Sequence, residues 1–334
     1  MQQLKVAVLG GGSWGTTVAS LVARNTEVTL WARDADTVAE INSSHRNSKY
    51  LPGAKLPDRL VATNAIAEAV SGADVVVMGI PSQNFRAVLG DVKQHIRAWV
   101  PVISLTKGLE LNTGMRMTEI IQEVLPGHPV GVLTGPNLAR EIMAGQAAAG
   151  VIAMEDEIIV RELQNVFKSG LFRVYTNTDI IGCELGGVLK NIIAIAVGMG
   201  DGQGAGDNTR AALITRGLAE ITRLGVAMGG KPETFSGLAG MGDMIATCTS
   251  PQSRNRHVGI ELGKGRDMDE IIEEMTMVAE GAKSAPAVMA LAKKYGVAMP
   301  IASDVSRVLA GDATASRAFR GLLRVEAGAE SEPG

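Results

Sequence analysis

The sequence predicts an α/β chain in two parts: a doubly wound parallel sheet over residues 1–178 and an all-α domain over residues 179–324. Three observations lead there. The first half alternates short apolar, β-branched runs with helical patterns, and strands at that spacing are joined by right-handed βαβ crossovers. The first strand-like run ends in Gly10-Gly11-Gly12-Ser13-Trp14-Gly15, a G-x-G-x-x-G placed where a strand turns into a helix. After about residue 178 the strand pattern stops and only helical periodicity remains.

Taken in order, residues 4–9, 27–32, 60–63, 74–80, 100–105 and 130–133 read as strands. Helices are expected at 14–24, 65–70, 85–99 and 115–124, with two further strands at 146–154 and 171–175 around a helix at 157–168. The second half reads as helices at 179–199, 209–227, 231–236, 267–275, 284–294 and 303–310. Residues 325–334, rich in Ala, Gly, Glu, Ser and Pro, read as a disordered tail.

Composition excludes several function classes. A net charge of −3 gives no electrostatic footprint for nucleic acid or for an anionic membrane. Aromatic residues are 3% of the chain, too few for a base-stacking surface. Cys183 and Cys248 are too few for a disulfide framework and fit a reducing compartment. The N-terminus lacks the pattern of a signal peptide, and the longest apolar stretch, residues 192–200, falls short of the ~20 that a membrane helix needs. A cytoplasmic protein without membrane insertion is expected. The helical half is apolar enough to offer a self-association surface, so a homodimer is allowed, although no strip of residues identifies an interface.

The glycine loop has a specific chemical reading. Gly10 allows the tight turn, Gly12 lets backbone approach a pyrophosphate, and Gly15 lets the helix pack on the strand. Free N–H groups at the helix start then face the phosphates, which makes the first half a Rossmann-like NAD(P)-binding domain. Choice between cofactors falls at the end of the second strand, where Arg33 and Asp34 stand together. Arg33 suits the 2′-phosphate of NADP, and Asp34 could hold the ribose of NAD or cap the next turn. NADPH is the expected preference, with NADH also accepted.

Four further features suggest catalysis. Lys107 lies just past the C-terminal end of a buried strand, the edge where doubly wound sheets place ligands. Lys190 and Asn191 interrupt a helix whose second half is apolar nearly all round. A buried lysine needs a partner or a task, either an ion pair, for instance with Glu184, or general acid–base work. Asp243 sits in a glycine-flanked turn, with Thr247 four residues on. Ser253-Arg254-Asn255-Arg256 combines two guanidiniums with short polar groups, as phosphate recognition requires, although a solvated basic loop has the same composition. No metal-ligand spacing is present.

These segments together, with Leu105-Thr106-Lys107-Gly108 and Gly135-Pro136-Asn137-Leu138-Ala139-Arg140-Glu141, stand in the order seen in NAD(P)-dependent glycerol-3-phosphate dehydrogenases. The chain resembles that family over about residues 4–322, and in particular the bacterial form that makes glycerol 3-phosphate for phospholipid synthesis. The resemblance implies that Lys190 is the catalytic acid–base residue and that Lys107, Asp243, Thr247, Arg254 and Asn255 line the site for dihydroxyacetone phosphate. It also implies that Gly135, Asn137 and Ser253 touch substrate, and that Ser13, Trp14, Arg33, Tyr50, Lys107, Ala139, Arg254, Val278 and Glu280 contact the cofactor. One departure is visible: the family usually has a small hydroxyl residue or alanine where Asn137 stands. Two other readings share the overall plan, a 6-phosphogluconate or 3-hydroxyacid dehydrogenase and a non-catalytic dinucleotide sensor. The Ser253–Arg256 cluster, suited to a terminal phosphate, favours the first reading.

Overall fold

The computed structural model describes residues 4–275 and 279–322; Val278 and the expected tail at 325–334 lie outside the described residues. The described residues form two compact units, one drawn from 1–106 and 115–180, the other from 107–114 and 181–334.

The first unit is an eight-stranded sheet in the order β3-β2-β1-β4-β5-β6-β7-β8. Its strands are β1 (Lys5–Leu9), β2 (Glu27–Trp31), β3 (Val61–Thr63), β4 (Val75–Met78), β5 (Val102–Ser104), β6 (Val130–Thr134), β7 (Ala148–Met154) and β8 (Phe172–Asn177). Seven helices accompany them: α1 (Ser13–Val22), α2 (Ala35–Ser44), α3 (Ile66–Val70), α4 (Ser82–Lys93), α5 (Met117–Val124), α6 (Ala139–Met143) and α7 (Glu157–Phe167). Successive side chains of a strand point to opposite faces, so β1 sends Val6 and Val8 into one apolar layer and Ala7 and Leu9 into the other. Both faces are buried, which is why these strands read as continuous apolar runs.

Helices α2 and α6 were not among the expected elements, and two further details differ from the expectation. The sheet is not wholly parallel: β7 runs antiparallel to β6, because their connection contains only the five-residue helix α6 and makes no full crossover. Helix α4 stops at Lys93 instead of reaching Trp99. Pro101 disfavours helical backbone before it, and Trp99 is left-handed (φ 66°) and 76% exposed.

The second unit is helical: α8 (Ile180–Gly202), α9 (Asp207–Ala227), α10 (Pro232–Phe235), a π-helical turn (Leu238–Gly242), α11 (Asp243–Thr249), α12 (Arg254–Gly263), α13 (Met268–Glu274), α14 (Glu280–Tyr295), α15 (Pro300–Leu309) and α16 (Ala315–Leu322). Helix α8 has 23 residues, close to the helix expected at 179–199, and is long and apolar enough by length and composition to cross a bilayer. Its most apolar window is 94% buried, which marks it as the core helix of this unit. Polar Lys190 and Asn191 on α8 are buried with it, each 4% exposed.

Helices α8 and α12 touch backbone to backbone. A Cβ on Gly198 would collide with the Arg256 carbonyl, and one on Gly202 would come within 3.0 Å of the Gly263 Cα. The four glycines, Gly198 and Gly202 against Gly259 and Gly263, recur at a spacing of four and form one seam. Above it Asp201 of α8 clamps Arg256 of α12 at 2.7 Å and Arg210 of α9 at 2.8 Å. Segment 107–114 belongs to this unit although it follows β5, because Leu109 is fully buried in the helical core with Val188 and Leu189.

Candidate active site

The predicted residues fall into two sets, one in each unit. In the sheet unit the glycine loop runs from β1 into α1. Gly10 has φ +123°, and a Cβ there would strike the Gly79 carbonyl; a Cβ on Gly15 would strike the Gly10 carbonyl. Gly12 instead faces open space, with nothing within 4 Å of its would-be Cβ. Gly12 is also the N-cap of α1 and supplies no side-chain acceptor, so the first N–H groups of that ten-residue helix are available to an anion. These features fit the pyrophosphate of a dinucleotide.

Around this loop Ser13 Oγ donates to the Tyr50 carbonyl at 2.8 Å, and Asn47 Nδ2 donates to the Gly11 carbonyl at 2.8 Å. Trp14 packs edge-on to Phe172, with centroids 6.3 Å apart, and its buried Nε1 has no hydrogen-bond partner among the described residues. Arg33 is exposed beyond the end of β2. Of the two roles left open for Asp34, the structure shows the cap. Asp34 is the N-cap of α2, accepting from the Asp36 N–H, the Thr37 hydroxyl and Lys49 Nζ, each at 3.1 Å, and these contacts hold its carboxyl below the usual range. At the end of β6, Gly135 turns the chain with φ +119°, Asn137 follows, and Ala139 opens α6. Both polar atoms of the Asn137 side chain are buried without a partner among the described residues.

In the helical unit the sequence-distant Lys107, Lys190, Asp243 and Thr247 come together. The π-helical turn feeds directly into α11, so Asp243 and Thr247 share one helix face, both buried. Asp243 Oδ2 lies 2.6 Å from Lys107 Nζ and Oδ1 lies 2.9 Å from Lys190 Nζ. Lys190 also donates to the Thr247 hydroxyl, which in turn donates to the Asp243 main-chain carbonyl at 2.7 Å. The partner of Lys190 is thus Asp243 and not Glu184, which lies six residues back on α8 and so on a different face. Two ammonium groups on one carboxylate leave one net positive charge. Burial draws the Lys107 ammonium down to about 8, against the pull of Asp243 and with a further push from Lys190.

Ser253 caps α12 through its Oγ, which accepts from the Arg256 N–H at 3.2 Å; the basic cluster is a helix start and not a loop. Arg254, its first residue, is exposed and within electrostatic range of Glu280, the first residue of α14. Arg256, a second candidate for phosphate, is committed to Asp201. Asn255 Oδ1 accepts from the Gly281 N–H at 3.0 Å and its Nδ2 donates to Asn191 Oδ1 at 3.0 Å. Asn191 Nδ2 then donates to the Lys107 carbonyl at 3.3 Å.

Two models of one family match this chain: the N-terminal model of NAD-dependent glycerol-3-phosphate dehydrogenase over residues 5–160 and the C-terminal model over residues 179–320. The chain belongs to the NAD-dependent glycerol-3-phosphate dehydrogenase family. It is 72% identical over 332 residues to glycerol-3-phosphate dehydrogenase [NAD(P)+] 2 of Sphingopyxis alaskensis, covering 99% of this chain and 100% of that one. It is 54% identical to the glycerol-3-phosphate dehydrogenase [NAD(P)+] of Mycobacterium avium, covering 97% and 95% of the two chains. Among solved structures, the Coxiella burnetii glycerol-3-phosphate dehydrogenase superposes with a TM-score of 0.92 at 38% identity, covering 96% of this chain and 99% of that one. For this family member, sequence reasoning named Asn191 as a buried polar residue without giving it a role, and passed over Asn47 and Lys49. The only signal for Asn191 was its place beside Lys190 in an apolar helix; the other two lie in a polar stretch with no pattern.

Proposed function

We propose that this chain reduces dihydroxyacetone phosphate to sn-glycerol 3-phosphate reversibly, with NADPH preferred and NADH accepted, supplying glycerol 3-phosphate for phospholipid synthesis in the cytoplasm. One observation carries the reading: buried Asp243 holds two lysines, and the cluster keeps a net positive charge. Reduction of a ketone puts negative charge on the carbonyl oxygen, and a preorganised cationic pair stabilises that charge best where water is excluded. When bound, the nicotinamide supplies the hydride. Lys190 donates the proton to the developing alkoxide, and Lys107 adds a second cation. Asp243 and Thr247 orient the Lys190 ammonium through the contacts already described. Arg254 holds the substrate phosphate, and Asn255 and Ser253 position it by fixing the start of α12.

The glycine loop, Ser13, Trp14, Arg33, Tyr50 and Ala139 bind the cofactor in this reading, and Glu280 orients Arg254. A homodimer is allowed in this reading, and sedimentation tests it. The test is NADPH oxidation with dihydroxyacetone phosphate against unphosphorylated dihydroxyacetone, 3-oxoacids and 6-phosphogluconate. Turnover of the first alone is expected, and Lys190→Met should lower kcat at least about a hundred-fold with NADPH binding intact. Preference for another substrate, or a Lys190→Met enzyme that keeps its kcat, would overturn the assignment.

A further inference from the structure

Lys49 lies in a segment of which only Tyr50 was marked, by the family resemblance, yet that segment packs against the glycine loop. Asn47 reaches the Gly11 carbonyl and the Thr16 hydroxyl at 2.8 and 2.9 Å, and the Tyr50 carbonyl accepts from Ser13. Between these two anchors Lys49 Nζ is held 3.1 Å from Asp34 and 5.6 Å from the centroid of the Tyr50 ring. The ammonium therefore stands at the end of β2, where dinucleotide folds read the 2′ position of the adenosine ribose.

We propose that Lys49 is a cofactor-specificity residue: with Arg33 it seats the 2′-phosphate of NADPH, and by holding Asp34 it withholds the carboxylate that an NADH ribose would use. The proposal rests on the NADPH preference given above. Three observations support it. Asp34 already accepts three hydrogen bonds, with Thr37 and Lys49 both on Oδ2, so without displacing Lys49 a ribose hydroxyl finds a single acceptor site, on Oδ1. Arg33 is exposed just past the end of β2 and directly precedes Asp34, the residue that holds Lys49, so both cations stand at the same edge of the sheet. Two cations at that edge, beside a phosphate-binding loop, suit a dianion. Folding does not explain Lys49, since its pair with Asp34 is open to water, with side chains 59% and 41% exposed, and pairs of that kind add little stability. An ammonium has three donors, so Lys49 can keep Asp34 while it meets a phosphate oxygen.

The experiment measures binding without turnover. NADPH, NADH, 2′,5′-ADP and 5′-AMP are titrated calorimetrically into wild type, Lys49→Ala and the double variant Lys49→Ala/Asp34→Asn, in which asparagine still caps α2. Lys49→Ala should weaken NADPH and 2′,5′-ADP by about tenfold, the scale of one charge-assisted contact, and leave 5′-AMP unchanged. NADH should bind Lys49→Ala more tightly than wild type, and Asp34→Asn should cancel that gain. Equal losses for NADPH and NADH, or no loss for either, would overturn the role of Lys49. Tighter binding of NADH than of NADPH by wild type would overturn the NADPH reading by itself, and the Lys49→Ala ratio would still decide the proposal.

Discussion

Lys107 and Asn137 show two ways in which a single residue departs from what folding alone would choose. Lys107, drawn down to about 8, is charged below that pH and neutral above it. Reduction of dihydroxyacetone phosphate should therefore fall on an alkaline limb near pH 8, and Lys107→Arg should move the limb out of range. A flat profile from pH 7 to 9 in wild type would remove Lys107 from the proton inventory. Asn137 buries an amide with neither atom satisfied, and each such group costs about 1–3 kcal/mol. Asn137→Ala is expected to leave the melting temperature of the ligand-free chain unchanged or raised, while weakening ligand binding about tenfold. A drop of several degrees without ligand would show that the amide serves the fold instead.

At the scale of elements, the seam between α8 and α12 determines where Arg254 and Asn255 stand. Gly259 is buried, and a Cβ on it would collide with the Ile195 carbonyl, which as backbone cannot swing aside. Gly259→Ala should push α12 away from α8, at a cost of about 1–3 kcal/mol for overpacking. It should also raise the KM for dihydroxyacetone phosphate more than it lowers kcat, because the residues proposed to bind phosphate shift while the lysines on α8 and segment 107–114 keep Asp243. Unchanged KM in a destabilised variant would detach the seam from recognition. The sequence hid this geometry: residues 254–263 carry no apolar period, and the glycines before Asp243 read as a turn, so α12, α11 and the π-helical turn were not anticipated as helices. Beyond the Ser253 cap of α12, their helical state rests on packing against α8.

Across the whole molecule, distant parts of the chain are joined by buried polar groups, and Glu220 gives the clearest pH signature. It is 2% exposed on α9 and accepts from the N–H groups of Ile301 and Ala302, in the first turn of α15, at 2.6 and 3.1 Å. Burial raises its carboxyl from 4.5 to about 7, although those two donors and the charges of Arg223 and Arg216 pull it down. A carboxyl raised in the folded state holds a proton that the unfolded chain has released. Its contribution is thus fully present below pH 4.5 and is lost as pH rises through 7, on the order of 3 kcal/mol in all. Glu220→Gln leaves one N–H without an acceptor and should destabilise at pH 5, but the gap to wild type should narrow by pH 8. Parallel unfolding free energies for the two proteins from pH 5 to 8 would show that Glu220 does not titrate in this window.

The sequence by itself determined the parts whose physics is local. Alternating apolar runs predicted the sheet, because a strand buried on both faces must be apolar throughout. The glycine loop was legible because Gly10 and Gly15 answer to backbone collisions within a few residues of chain or on the neighbouring strand. Lys190 stood out because a charge in an apolar helix is conspicuous on any reading. What only the tertiary structure decided were the partners. Asp243, not Glu184, meets Lys190; Asp201 takes Arg256 away from phosphate; Leu109 draws Lys107 into the helical unit; and Asp34 is spent on α2 and Lys49. Each of these pairings joins residues far apart in sequence, or chooses between groups of equal chemistry, and only the folded chain sets which of them meet.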